Sequence, residues 1–119
     1  MKKKENKTKQ TKIYCFDMDG VICRTIKNYY HNSKPIKKNI NKMNEIYFKG
    51  HRVIIFTGRF MGRSNENSNL AKKRGYNLTR KQLKKWKVRY HKLIFGKPSF
   101  DYVVDDKSVF FKKDWHKYI

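Results

Sequence analysis

Asp17 and Asp19 stand one residue apart, directly after the apolar run Ile13-Tyr14-Cys15-Phe16 and just before Gly20. A continuous apolar run of this kind reads as a strand buried on both faces, as inside parallel sheets. Such a strand has no structural use for acids at its end, because burying an ionised carboxylate is costly unless a cation or several donors compensate. The carboxyl end of a parallel strand is, however, where open α/β sheets bind ligands. Gly20 allows the backbone to turn sharply once the acids have passed. One carboxylate to attack and another to shuttle a proton, held beside a cation, outline a reaction centre.

Other strand ends carry related chemistry. Residues 51–56 (HRVIIF) form a second apolar run closed by Thr57-Gly58-Arg59, a hydroxyl, a flexible amide and a guanidinium. Tyr102-Val103-Val104 reads as a short fourth strand ending in Asp105-Asp106, and Lys97 precedes it in the turn Gly96-Lys97-Pro98. Residues 90–95 supply a third strand whose end is chemically plain. Asp101 and Asp114 are read as turn or capping residues.

The elements that must position these groups alternate. Pro35 fits the first turn of a helix, and Ile36, Ile40, Met43, Ile46 and Tyr47 form an apolar stripe at helical spacing. Gly50 stands where a C-terminal cap belongs. Residues 70–87 read as helical pieces, interrupted at Gly75 and clearest from Thr79 onward, with Leu83 and Trp86 on the inner side. Residues 21–33 have no periodicity and read as a loop folded over the site; residues 60–69 are turn-rich. Phe110, Phe111, Trp115 and Tyr118 give the tail an aromatic face to lay over the sheet edge. Strands alternating with helices imply an α/β fold with a parallel sheet and right-handed crossovers. The domain spans residues 13–119, preceded by a basic, disordered arm at residues 1–12.

Composition narrows the function classes. The 119 residues suit one domain with a thin core. No apolar run approaches the roughly 18 residues of a membrane span, and the polar N-terminus is unlike a secretory signal, so a cytoplasmic protein is expected. The net charge of +22 points to polyanionic or phosphorylated partners, nucleic acid among them. The excess is mostly lysine, however, which a lysine- and asparagine-rich composition also produces, and bidentate phosphate contacts favour arginine. Cys15 and Cys23, with scattered histidines and no CxxC, give no zinc pattern and no expected disulfide. Cys15 reads as a small core residue, and Cys23 as a neighbour of the acids.

The order Asp-x-Asp-Gly, then Thr-Gly-Arg, then Lys97, then Asp-Asp resembles the four motifs of haloacid dehalogenase (HAD) superfamily phosphatases, and covers residues 13–107. The resemblance implies a Rossmann-like sheet and a magnesium-dependent phosphomonoester hydrolase. By it Asp17 is the nucleophile that forms an aspartyl-phosphate, and Asp19 the proton donor and acceptor. Thr57 and the Gly58 amide would donate to phosphoryl oxygens, Arg59 would contact phosphate or substrate or else be a surface charge or a partner to an acid, and Lys97 would fix a positive charge on Asp17 and the phosphoryl group. Asp17, the Asp19 backbone carbonyl, Asp105 and Asp106 would hold the magnesium ion, a hard cation suited to carboxylate oxygen.

Too few residues separate Asp19 from the first helix for the cap domain many of these enzymes carry. An open site implies a large substrate or a neighbouring subunit that closes it, so a homo-oligomer is one expectation. The residues 81–108 resemble small capless phosphatases of capsule and surface-sugar synthesis, which implies a small phosphorylated sugar as substrate. Two alternatives remain: a polynucleotide 3′-phosphatase, whose polyanionic substrate suits the charge, and a basic nucleic-acid-binding module on an inactive phosphatase fold.

Overall fold

A computed structural model describes residues 10–109, 115–117 and 119. Three parallel strands form its sheet in the order β1 (Ile13–Phe16), β4 (Arg52–Thr57), β5 (Lys92–Phe95). Register pairs Phe16 with Ile55 and Thr57 with Phe95. Between β1 and the first helix, β2 (Cys23–Arg24) and β3 (Lys34–Pro35) make a small antiparallel ladder, with a 3-10 turn at Tyr30–Asn32 in its loop. Two helices follow their strands, α1 (Lys37–Phe48) and α2 (Ser68–Lys85). The fold is therefore α/β with a parallel sheet. No cap domain interrupts it among the described residues.

Helix α1 begins later than its sequence implies. Ile36 donates its N–H to the Ile22 carbonyl at 2.9 Å, which holds residues 34–36 extended, so Pro35 pairs with Cys23 rather than opening the helix. The helix then buries Asn39, Ile40, Met43 and Ile46, the expected stripe plus one polar residue whose amide reaches the Val21 carbonyl at 2.7 Å. Gly50 ends it in the left-handed region, with φ of 94°, where a side chain would be strained.

Helix α2 is one continuous helix and not interrupted pieces. Asn67 caps it by accepting the Leu70 N–H at 3.0 Å. Gly75 is a packing residue within it: a Cβ there would lie 2.4 and 2.8 Å from ring carbons of Phe60 and 3.1 Å from Phe95. The missing side chain lets the helix approach the sheet.

Both helices cover one face of the sheet. Every buried strand residue, Phe16, Val53, Ile55, Thr57 and Phe95, stands on it, against Met43, Ile46, Leu83 and Val88 or beside Gly75. The opposite face carries Ile13, Cys15, Ile54, Phe56 and Ile94, none of them buried, and Ile13 is 68% exposed. This corrects the expectation that β1 is buried on both sides, and that Cys15 is a core residue. Its alternation is that of a half-covered strand, and a run of uniformly apolar side chains cannot reveal which face lacks a cover.

The expected fourth strand does not form. Tyr102, Val103 and Val104 are 91%, 60% and 98% exposed and pair with nothing in the ladder, so among the described residues β1 is an edge with one side vacant. The third strand is shorter than expected, although His91 still donates its N–H to the Val53 carbonyl at 2.8 Å. Of the expected arm, residues 1–9 lie outside the described residues, and Lys12 already bonds to the sheet, accepting the Arg52 N–H at 2.9 Å. Of the tail, Phe110, Phe111, Asp114 and Tyr118 also lie outside them. Trp115 is buried, its ring 5.4 Å from that of Phe16. No helix among the described residues is long and apolar enough to cross a membrane.

Candidate active site

The carboxyl ends of β1, β4 and β5 come together, and with them residues far apart in the chain. The Lys97 ammonium donates to Asp17 Oδ2 at 3.0 Å across 80 positions, while Asp17 Oδ1 accepts the N–H of Met18 at 2.7 Å. Both side chains are about a quarter to a third exposed, 24% for Lys97 and 33% for Asp17, so the pair faces solvent at the rim of the sheet. Lys97 is placed there by its own backbone, whose N–H donates to the Thr57 carbonyl at 3.2 Å. Gly58 makes this approach possible: a Cβ on it would lie 2.9 Å from the Lys97 carbonyl oxygen. The expected nucleophile and its cation are thus brought together.

Asp19 is held differently. Arg59 donates Nε to Oδ2 at 2.9 Å and Nη2 to Oδ1 at 2.9 Å, a two-pronged contact in which the Arg59 side chain is wholly buried. Thr25 also donates its hydroxyl to Asp19 Oδ1. The rest of the guanidinium is satisfied from two elements, α2 and the β2–β3 loop: Nη1 donates to Gln82 Oε1 at 2.6 Å and Thr79 Oγ1 at 3.2 Å, and Nη2 to Ser33 Oγ at 3.1 Å. A buried charge with its donors filled in this way is a structural clamp between α2, the β2–β3 loop and β1. The expectation that Arg59 contacts phosphate or substrate is corrected accordingly. It pairs with an acid, because Asp19, Thr79, Gln82 and Ser33 together supply acceptors for the whole buried guanidinium.

Thr57 is fully buried, and its hydroxyl oxygen accepts the Arg59 N–H at 3.1 Å, which leaves the hydroxyl hydrogen uncommitted by that bond. Cys23 is buried next to this network, with Sγ 3.5 Å from Asp19 Oδ1. Burial, reinforced by the Asp19 carboxylate and opposed by Arg59, pushes its thiol up to about 11. Such a thiol is inert at neutral pH. Burial likewise raises the Cys15 thiol, with Lys97 opposing and Asp17 adding to the shift.

Asp105 and Asp106 are not gathered with the other acids. Both are exposed, and Asp105 Oδ1 accepts the Lys107 N–H at 2.9 Å in a local turn. Among the described residues no three His, Cys, Asp or Glu side chains stand close enough to hold a metal ion. Asp17 bonds to Lys97, and Asp105 and Asp106 stand in a turn away from it, so the single chain does not gather the four positions expected to hold magnesium. The physical reason is the missing fourth strand: without it, nothing carries Asp105 up to Asp17.

No protein-family model and no curated protein sequence matches this chain. One solved structure does. The fold is similar to that of an MCSG structural-genomics target from Vibrio cholerae. The TM-score is 0.81 at 22% sequence identity, over 92% of this chain and 89% of that one. At this identity the likeness speaks for the fold alone.

Several residues of the site carried no sequence signal. Thr25, Ser33, Thr79 and Gln82 all bond to Asp19 or Arg59 from a loop without periodicity and from a helix face taken as plain. The available clue was on α2: Thr79 and Gln82 lie on the same side as Leu83, an apolar side that has no use for an amide unless something polar is buried opposite.

Proposed function

We propose that this chain is a phosphomonoester hydrolase of the haloacid dehalogenase type, acting on a small phosphorylated sugar or related metabolite. The Lys97–Asp17 ion pair at the end of β1 is the observation that carries the reading. A carboxylate at the rim of a parallel sheet, steadied by one lysine and open to solvent, is placed to attack a phosphoryl group.

The reaction runs in two displacements. An Asp17 oxygen bonds to phosphorus and the ester P–O bond breaks, which leaves an aspartyl-phosphate and an alkoxide that takes a proton. Water then attacks the same phosphorus, releasing inorganic phosphate and restoring the Asp17 carboxylate. Lys97 offsets the charge on the phosphoryl oxygens and holds the attack in line. Asp19 Oδ2, engaged by Arg59 Nε, is the oxygen to give and take the proton. The Gly58 amide lies at the neighbouring strand end as a further donor, whereas the Thr57 hydroxyl is fully buried and supports the strand end from within. Magnesium remains part of the expectation, but no step is assigned to it, since the acids expected to bind it are apart.

A second reading has one observation of its own. The C-terminal half of α2 borders a depression of about 440 Å³ lined by Asn77, Arg80, Lys81, Lys84, Val88 and Tyr90. Its basic and aromatic lining suits a nucleic-acid backbone, which would make the substrate a phosphorylated polynucleotide end. The experiment is a screen of purified protein with magnesium against phosphorylated sugars, nucleotides and 3′-phosphorylated oligonucleotides, repeated across salt. The first reading expects turnover of a small ester with little salt dependence. Release of phosphate only from the oligonucleotide, with affinity dropping roughly 10³-fold between 50 and 200 mM salt, selects the second. No phosphate from any of them overturns both.

A further inference from the structure

We infer that two copies of this chain exchange residues 102–105, each copy's segment adding as a parallel strand to the vacant edge of β1 in the other. Three features of the single chain lead here. Among the described residues β1 is an edge strand with no partner on its outer side, a position that proteins normally protect. The sheet face beside that edge bears Ile13, Cys15, Ile54, Phe56 and Ile94, with Arg52 and Lys92 at its amino end, and no helix covers it among the described residues, whereas parallel sheets are ordinarily covered on both faces. And a segment with the composition to fill that edge stands in solvent: Phe100, Tyr102, Val103, Val104 and Val109 are 47%, 91%, 60%, 98% and 57% exposed.

The same chain cannot place that segment there. β5 ends at Phe95 with its end level with Thr57, and the order β1–β4–β5 puts the vacant edge across the whole sheet. A parallel strand must start at the opposite end of the ladder, and parallel neighbours are joined by a crossover of about a dozen residues or more. Only residues 96–101 are available. They are further shortened by their anchors, since Lys97 is bonded to Thr57 and Asp17, and Ser99 to both carboxylate oxygens of Glu66 at 3.1 and 2.8 Å. A return in the antiparallel sense would need less chain but would carry Asp105 to the far end of β1.

A second copy related by a two-fold axis removes the difficulty. Lying antiparallel alongside, it receives the segment as it runs back from the first copy's site, now parallel to the second copy's β1, and gives its own in return. With Asp105 level with the second copy's Asp17, Val103 falls beside Cys15. The exchange itself stands on this geometry; that Asp105 and Asp106 complete the catalytic centre rests on the proposed hydrolase reading. Each active site is then built from two chains, and the open site gains its missing wall.

The test uses the full chain. Light scattering should give twice the chain mass. The variant Val103→Cys, oxidised with diamide, should form an intermolecular disulfide with native Cys15, since neighbouring strands place Cα atoms within disulfide range. The dimer band on non-reducing gels should vanish when Cys15→Ser is added. For the catalytic part, Asp17→Asn and Asp105→Asn chains, each inactive, are unfolded and refolded together. Random pairing puts one intact site in the mixed dimer, restoring about a quarter of wild-type turnover. A monomeric wild-type chain, a disulfide closed within one chain, or no cross-link overturns the exchange. A cross-linked dimer that hydrolyses no ester upholds the exchange and removes the hydrolase reading instead.

Discussion

Arg59 and Asp19 meet through paired hydrogen bonds at 2.9 Å although 40 positions separate them, and the guanidinium is completely buried while the carboxylate keeps 26% of its exposure. Breaking such a pair leaves a buried charge uncompensated, which costs about 3 kcal/mol or more. Arg59→Leu removes the charge but strands Asp19, Thr79, Gln82 and Ser33 without their donor. Asp19→Asn keeps the shape and leaves the cation partly unpaired. Both variants should lower the thermal midpoint by on the order of 10 °C in a chain of this size, measured by circular dichroism. A change within 2 °C for either would mean that the clamp is dispensable.

Asp17 predicts the opposite profile. Its pair with Lys97 is partly exposed and contributes under about 1 kcal/mol. Asp17→Asn should therefore fold as the wild type does and lose phosphate release by at least about 10³-fold, since an amide is a poor nucleophile. Substantial turnover of a good substrate by this variant would remove Asp17 from the nucleophile's role.

The two cysteines should part company in reactivity. Cys15 is exposed and Cys23 buried, with a thiol raised from 9.0 to about 11. At pH 8 a disulfide reagent should modify one thiol of the native protein, on Cys15, and the second only on unfolding. The same shift works on stability. The protonated thiol is favoured in the fold, so this contribution is complete below pH 9, and declines as pH rises toward and through about 11. A Cys23→Ala variant should lose less stability over that interval than the wild type. Equal slopes for the two in alkaline urea titrations would contradict the assignment.

Gly75 offers a test of packing. In an exposed helix Gly→Ala stabilises by about 1 kcal/mol. Here the new methyl meets the Phe60 and Phe95 rings, so Gly75→Ala should destabilise by roughly 1–3 kcal/mol. Combining it with Phe60→Leu should recover part of the loss, as judged by urea midpoints.

The order of residues alone carries the local grammar: apolar runs ending in acids or hydroxyls, the α1 stripe closed by Gly50, and Lys97 shortly before an acid pair. Those patterns sufficed to expect a parallel α/β sheet and to bring Asp17 and Lys97 together, because strand ends of a parallel sheet necessarily converge. Other facts depended on which surfaces met. Arg59 read as a ligand for phosphate until the acceptors on Asp19, Ser33, Thr79 and Gln82 were brought round it in the core. Gly75 read as a helix breaker until two rings filled the space above it. Val103 and Val104 had the composition of a strand, yet a strand exists only where a partner edge can be reached. The length of chain after β5 and the anchors at Lys97 and Ser99 decide that, and propensity does not.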